Sequence, residues 1–150
     1  MLFEYGPDVD ASKDLINSLG VSQYVTWMPL MPRKEIMIGM SLADIVVGEL
    51  NLSGLGFGAS FEAMALVKPL LGYREDEVYL TDSSVHKSLY PMMNAHTEEE
   101  VYQRLTEYIE DPEKHKKMGL EAMEWHQKEI VDKSIDFIIE RIEQAKSALT

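Results

Sequence analysis

The chain has 150 residues, 45% of them hydrophobic and 27% charged, so it can bury a core and is neither disordered nor collagen-like. Its 26 acidic and 14 basic side chains give a net charge of −12, which argues against nucleic-acid binding and docking to anionic membranes. The absence of cysteine excludes disulfides, thiolate nucleophiles and cysteine-based zinc sites, and makes the cytoplasm the expected compartment. We expect no membrane insertion, since no apolar run is long enough to cross a bilayer and the acidic start does not resemble a signal peptide.

The beginning of the chain predicts two strands with a helix between them. Residues 2–5 are apolar and aromatic and stop at a Gly-Pro pair, which indicates a strand. Asp10 can cap the following helix, and Gly20 stands where a helix commonly ends. Residues 24–27 predict the second strand, which the prolines that follow bring to an end.

The middle of the chain continues the alternation of strand and helix. A helix from Arg33 precedes an apolar run over residues 44–48, which suits a strand buried on both faces. A glycine-rich loop over residues 53–58 opens a short helix over residues 59–66, and residues 68–73 predict the fourth strand. This alternation predicts an α/β fold with a Rossmann-like parallel sheet flanked by helices.

The last part of the chain is helical. Residues 74–88 are polar and show no hydrophobic periodicity, which predicts a loop. Residues 89–93 predict a last short strand. Thr97 with Glu100 forms a capping-box pattern, and Asp111-Pro112 begins another helix.

A tail helix presents an apolar stripe on one face, made of Ile135, Ile138, Ile139, Ile142 and Ala145. We expect a single domain over residues 1–150, with an α/β sheet part over 1–95 and a helical tail over 96–150.

The glycine-rich loop is the strongest candidate for a binding site. Ligands of open α/β sheets bind where parallel strands end, and the glycines Gly56 and Gly58 allow a pyrophosphate to approach the backbone closely. The Glu62 carboxylate, one helical turn further on, can accept hydrogen bonds from ribose hydroxyls. Spacing alone leaves two alternatives open. The glycines can serve a turn that needs positive φ, and Glu62 can be a solvent-facing helix glutamate.

The same residues resemble a known family. The segment 56–65, Gly-Phe-Gly-Ala-Ser-Phe-Glu-Ala-Met-Ala, and the following Lys68-Pro69-Leu70-Leu71 resemble the signature of retaining GT-B glycosyltransferases of family 4. That signature has Glu-Gly-Phe-Gly, then Leu-Glu-Ala-Met-Ala, then Gly-Lys-Pro-Val. Residues 25–29, 43–47 and 97–100 also resemble the family in the expected order, so that the resemblance covers nearly the whole chain.

The resemblance implies that a nucleotide-diphosphate sugar is the donor substrate and that no metal is needed. It makes Glu62 the ribose ligand and places the diphosphate and the sugar against the amides around Phe57. The resemblance implies no catalytic residue, because the first glutamate of the family's pair falls on Gly54 or Leu55. The donor-binding residues that it implies are Gly56, Phe57, Gly58, Ala59 and Glu62, with Pro29, Leu30 and Met31 beside the base.

The four histidines predict no metal site. His86, His96, His115 and His126 lack the spacing of metal ligands, and we expect them on the surface or in loops.

Family members have two lobes, and this chain resembles only the donor-binding, C-terminal one, without its first strand. We therefore expect the chain to be the nucleotide-sugar-binding part of a retaining glycosyltransferase, and to transfer no sugar without an acceptor-binding lobe. The alternative is a truncated, inactive lobe that serves as a nucleotide-binding or oligomerisation module. Because the missing strand leaves sheet edges and helix faces uncovered, we also expect a homo-oligomer. Its interface would include strand edges or the stripe on the tail helix, unless the strands at 2–5 and 44–47 pair directly.

Overall fold

The computed structural model describes residues 1–50, 59–82 and 88–147. As predicted, the architecture is α/β, with short parallel strands flanked by helices. In chain order the elements are β1 (Leu2–Phe3), α1 (Val9–Ser18), a 3₁₀ turn (Ser22–Tyr24), β2 (Trp27–Met28), α2 (Arg33–Leu42), β3 (Val46–Val47), α3 (Ala59–Ala65), β4 (Leu70–Gly72), α4 (Asp76–Asp82), β5 (Met93–Asn94), α5 (Glu98–Glu110), α6 (Pro112–His126), a π-helical segment (Gln127–Asp132) and α7 (Lys133–Ser147). Within these ranges, no helix combines the length and hydrophobicity that crossing a bilayer requires.

The described strands form two small parallel sheets. β1 pairs with β2, and the second sheet has the order β3-β4-β5. In the first sheet, Leu2 pairs with Trp27 and Phe3 with Met28. The chain divides into two compact units, Met1–Gly39 and Met40–Thr150.

In the first unit, α1 ends just before Gly20, as the sequence predicts. Gly20 has φ of +67° and donates to the carbonyl of Asn17, while the Val21 amide donates to the carbonyl of Ile16. These two bonds make a Schellman turn, which satisfies the last carbonyls of the helix.

Two boundaries in this unit were predicted wrongly. The helix is preceded by Asp8 and not by Asp10, which lies in its first turn. Residues 22–24 form a 3₁₀ turn, held by hydrogen bonds from Tyr24 to Val21 and from Val25 to Ser22, so the strand begins only at Trp27.

The second unit has apolar clusters on both faces of its sheet. Successive residues of a strand point to opposite faces, so Leu70 belongs to one cluster and Leu71 to the other. The larger cluster packs α3 and α6 against the sheet around Met64 and Trp125, and the indole Nε1 of Trp125 donates to the Ser88 hydroxyl at 2.8 Å. The sheet and its helices therefore share a buried core.

Three predictions in the second unit were wrong. The third strand is not buried on both faces, because Val46 is buried whereas Val47, which points to the opposite face, is 54% exposed. Residues 76–82 form α4 rather than a loop. Over residues 76–81 only Tyr79 is buried, so the helix leaves no apolar stripe in the sequence. The last strand is Met93–Asn94, later than the predicted 89–93.

The helices that follow begin at the predicted caps. The Thr97 hydroxyl accepts from the Glu100 amide at 3.3 Å, and the Glu100 carboxylate accepts from the Thr97 amide at 3.0 Å. The Asp111 carboxylate accepts from the Lys114 amide at 3.0 Å and caps α6. The predicted tail helix is divided by the π-helical segment, and none of the described residues of α7 is buried.

Candidate functional site

The candidate site of the second unit lies around α3, between two parallel strands. The chain runs from β3 through residues 51–58 into α3 and then returns as β4 beside β3. Ser60, Ala63 and Met64 are buried, and they fix the helix against the sheet and α6. This parallel strand–helix–strand unit places the start of α3 on the side of the sheet where β3 ends, which is where α/β folds bind ligands.

Two of the predicted donor-binding residues lie on α3. Ala59 is its first residue, and Glu62 lies in its first turn. Both side chains are half-buried. The position of Glu62 on the helix is therefore the one that the sequence predicts, and its role as a ribose ligand stays a prediction.

The remaining predicted donor-binding residues fall into two groups. Gly56, Phe57 and Gly58 fall outside the described residues. Pro29, Leu30 and Met31 belong to the first unit, in the connection from β2 to α2, where Leu30 is 74% exposed and Met31 is half-buried.

An aromatic pair that the sequence did not reveal lies where β4 and β5 end. The rings of Tyr73 and His96 are stacked, with centroids 4.0 Å apart and 13° between their planes. Asn94 braces this edge, since its amide side chain accepts from the Arg74 backbone N–H at 2.9 Å and donates to the Arg74 carbonyl at 2.8 Å. The backbone amide of His96 donates to Glu100 at 2.8 Å, and this hydrogen bond lowers the pKa of the carboxyl.

A buried arginine also follows β4. The Arg74 side chain donates to the Asp76 carboxylate at 2.7 Å and to the Tyr90 carbonyl at 2.8 Å, and its guanidinium lies 4.3 Å from the centroid of the Tyr90 ring. These contacts show that the Arg74 side chain stabilises the buried core. Burial raises the pKa of Tyr79, whose ring lies 5.4 Å from the same guanidinium, to about 12, so this phenol stays protonated at physiological pH.

One prediction about the histidines was wrong. His115 is 1% exposed, because α6 packs it inside the unit, and its ring meets that of Tyr108 edge-on at 5.5 Å. Its Nδ1 atom donates to the Asp111 carbonyl at 2.9 Å, since a carbonyl can only accept. Over residues 1–50, 59–82 and 88–147, no cluster of three histidine or acidic side chains could hold a metal ion.

The first unit contains a small cleft of its own, where β1 leads into α1. Its volume is about 230 Å³, and its walls combine the aromatic rings of Phe3, Tyr5 and Trp27 with Asp8 and Ser12. The volume lies below the range of roughly 300–1,000 Å³ that is usual for small-molecule sites.

Comparison with family models, with curated proteins and with solved structures found no match to this chain. The assignment of function therefore rests on the chain's own residues.

Proposed function

We propose that the chain is the donor-binding part of a retaining glycosyltransferase similar to GT-B family 4, and that it binds a nucleotide-diphosphate sugar. The observation that carries this proposal is the position of Glu62. It lies in the first turn of the helix that joins two parallel strands, directly after a glycine-rich segment. A carboxylate there can accept hydrogen bonds from both vicinal hydroxyls of a ribose.

The end of the same helix supports the resemblance independently. Val67 has φ of 59°, a left-handed conformation that a β-branched residue rarely adopts. The Val67 amide donates to the Met64 carbonyl, and the Lys68 amide to the Ala63 carbonyl, which together form a Schellman turn. The family signature has a glycine directly before its Lys-Pro pair, which is the position of Val67, and glycine suits this conformation.

The proposed chemistry assigns the chain a binding and orienting task. The Glu62 carboxylate would fix the ribose, and the amides around Phe57 would receive the diphosphate, whose charge grows as the bond to the sugar breaks. The net charge of −12 opposes an anionic ligand, so we expect weak binding. The sugar would move to its acceptor only with an acceptor-binding lobe, and inactivity of the chain alone stays a prediction.

Titration calorimetry with nucleoside diphosphates tests this proposal. Glu62→Ala should weaken binding by roughly 10- to 100-fold, the usual effect of losing hydrogen bonds to a charged group. Glu98→Gln is the control, because it removes the charge of an exposed first-turn carboxylate on another helix. Its affinity should equal that of the wild type.

A deoxyribose ligand makes the test specific for the ribose contact. Wild-type protein should bind a 2′,3′-dideoxynucleoside diphosphate more weakly than the ribonucleotide, whereas Glu62→Ala should bind both equally. Detectable wild-type binding that is unchanged by Glu62→Ala would show that Glu62 is not the ribose ligand.

A second candidate function is a non-enzymatic oligomerisation module, favoured by the exposed isoleucines of α7. A chain that self-associates and binds no nucleoside diphosphate would favour this function over donor binding.

A further inference from the structure

We propose that α7 is a homodimerisation element that pairs with α7 of a second copy in an antiparallel arrangement. The surface in question is the α7 stripe, made of Ile135, Ile138, Ile139, Ile142 and Ala145. The proposal is independent of donor binding, because it concerns a helix that follows the α3 region by some seventy residues.

The α7 stripe is an apolar surface without cover among the described residues. Ile135, Ile138, Ile139 and Ile142 are 49%, 56%, 48% and 50% exposed, and α7 has no buried residue in its described range. Single exposed isoleucines are ordinary, but four on one helix face form a continuous patch, and such patches mark interaction surfaces.

The spacing of the stripe fits a helical partner. Positions 135, 138, 142 and 145 alternate steps of three and four residues, which is the pattern of a coiled-coil seam, and Ile139 flanks that seam. Successive residues of an α-helix lie about 100° apart around its axis, so Phe137 lies on a different face of α7 from the seam. The ring of Phe137 lies 5.1 Å from the Arg141 guanidinium. A second helix with the same seam is therefore a complementary occupant.

Because α7 carries no net charge of its own, it can pair with a second α7, and charge favours the antiparallel direction for that pair. From residue 133 onward, three basic and three acidic side chains cancel, so residues 1–132 carry the whole net charge of −12. A parallel pair would bring two such acidic bodies to the same end. An antiparallel pair separates them by the length of the 15-residue helix, roughly 22 Å, which exceeds the screening length of about 8 Å in physiological salt.

The flanking charges agree with this direction. When Ile138 lies opposite Ile142 of the second copy, Asp132 comes beside Lys146 of the second copy, and the two-fold axis repeats this attractive pair. These two attractive pairs outnumber the one like-charge pair, between Arg141 and Arg141 of the second copy. In a parallel pair, Arg141 would instead come beside Lys146 of the second copy, which places like charges together.

Light scattering on the full chain tests the dimer at micromolar concentration. The wild type should have twice the 17.1 kDa mass of one chain. Ile138→Glu should raise the dissociation constant by roughly 100-fold or more, because it places a charge from each copy in the seam. Phe137→Glu is the matched control: Phe137 is as exposed as Ile138, at 57%, but lies off the stripe, and its variant should remain dimeric.

Both variants should fold, because no described residue of α7 is buried. Circular dichroism checks this and should show equal helix content for the two variants. A monomeric wild type, or equal dissociation by the two variants, would overturn the proposal.

Engineered thiols test the direction, since the chain has no cysteine of its own. Ile138→Cys and Ile142→Cys variants, each with a different tag, should form mixed disulfides when combined under oxidising conditions. Disulfides need Cβ atoms within about 4.5 Å, so each variant alone should crosslink poorly in an antiparallel dimer. Efficient crosslinking of each variant to itself, without the mixed product, would indicate a parallel pair and overturn the proposed arrangement.

Discussion

Replacing Gly119 by alanine should destabilise the protein, although alanine is the better helix former. Gly119 lies inside α6 and faces the turn between α3 and β4. An added Cβ would lie 2.8 Å from the Val67 carbonyl oxygen and 3.2 Å from the Lys68 carbonyl carbon and the Pro69 nitrogen. These are backbone atoms, which cannot rotate away, so α6 or the turn would have to move.

The size of the effect follows from two opposing terms. Overpacked sites cost about 1–3 kcal/mol, and contact with backbone puts this site in the upper part of that range. The helix preference of alanine over glycine offsets about 1 kcal/mol. We therefore expect Gly119→Ala to lower the free energy of unfolding by about 1–2 kcal/mol.

Urea unfolding followed by far-ultraviolet circular dichroism measures this change. Gly39→Ala is the control, because Gly39 also lies inside a helix, and its nearest neighbour would be the Met1 Cε atom at an ordinary 3.9 Å. It should raise stability by up to about 1 kcal/mol. A Gly119→Ala midpoint equal to or above that of the wild type would show that α6 does not approach the turn at 67–69 so closely.

Two further predictions concern the helix caps and pH. Thr97→Ala should lower the free energy of unfolding by about 1 kcal/mol, because the Glu100 amide loses its acceptor; an unchanged urea midpoint would contradict the capping box. Burial lowers the pKa of His126, so between its folded pKa and the unfolded value of about 6.5 the unfolded chain binds more protons. Stability should therefore decrease as pH falls through that window, and His126→Gln should remove this part of the slope in urea titrations at several pH values.

The sequence was sufficient to predict those features whose interacting groups lie close together along the chain. The capping box of Thr97 and Glu100, the Asp111 cap and the Gly20 turn all form between residues a few positions apart. Glu62 was likewise placed correctly at the start of a helix, because the preceding glycines and the following Lys-Pro pair delimit α3. Propensity and capping act over a single turn, so such features can be read without knowing the rest of the fold.

The tertiary structure decided what depends on distant residues. The strand partners are one such feature: β1 pairs with β2, and β4 lies between β3 and β5. The stacked pair of Tyr73 and His96 exists only through the parallel register of β4 and β5. The burial of His115 and Arg74 and the exposure of the α7 stripe follow equally from packing. Apolar periodicity shows that a helix has a face to bury, but which partner covers it is set by contacts between segments that are far apart in sequence.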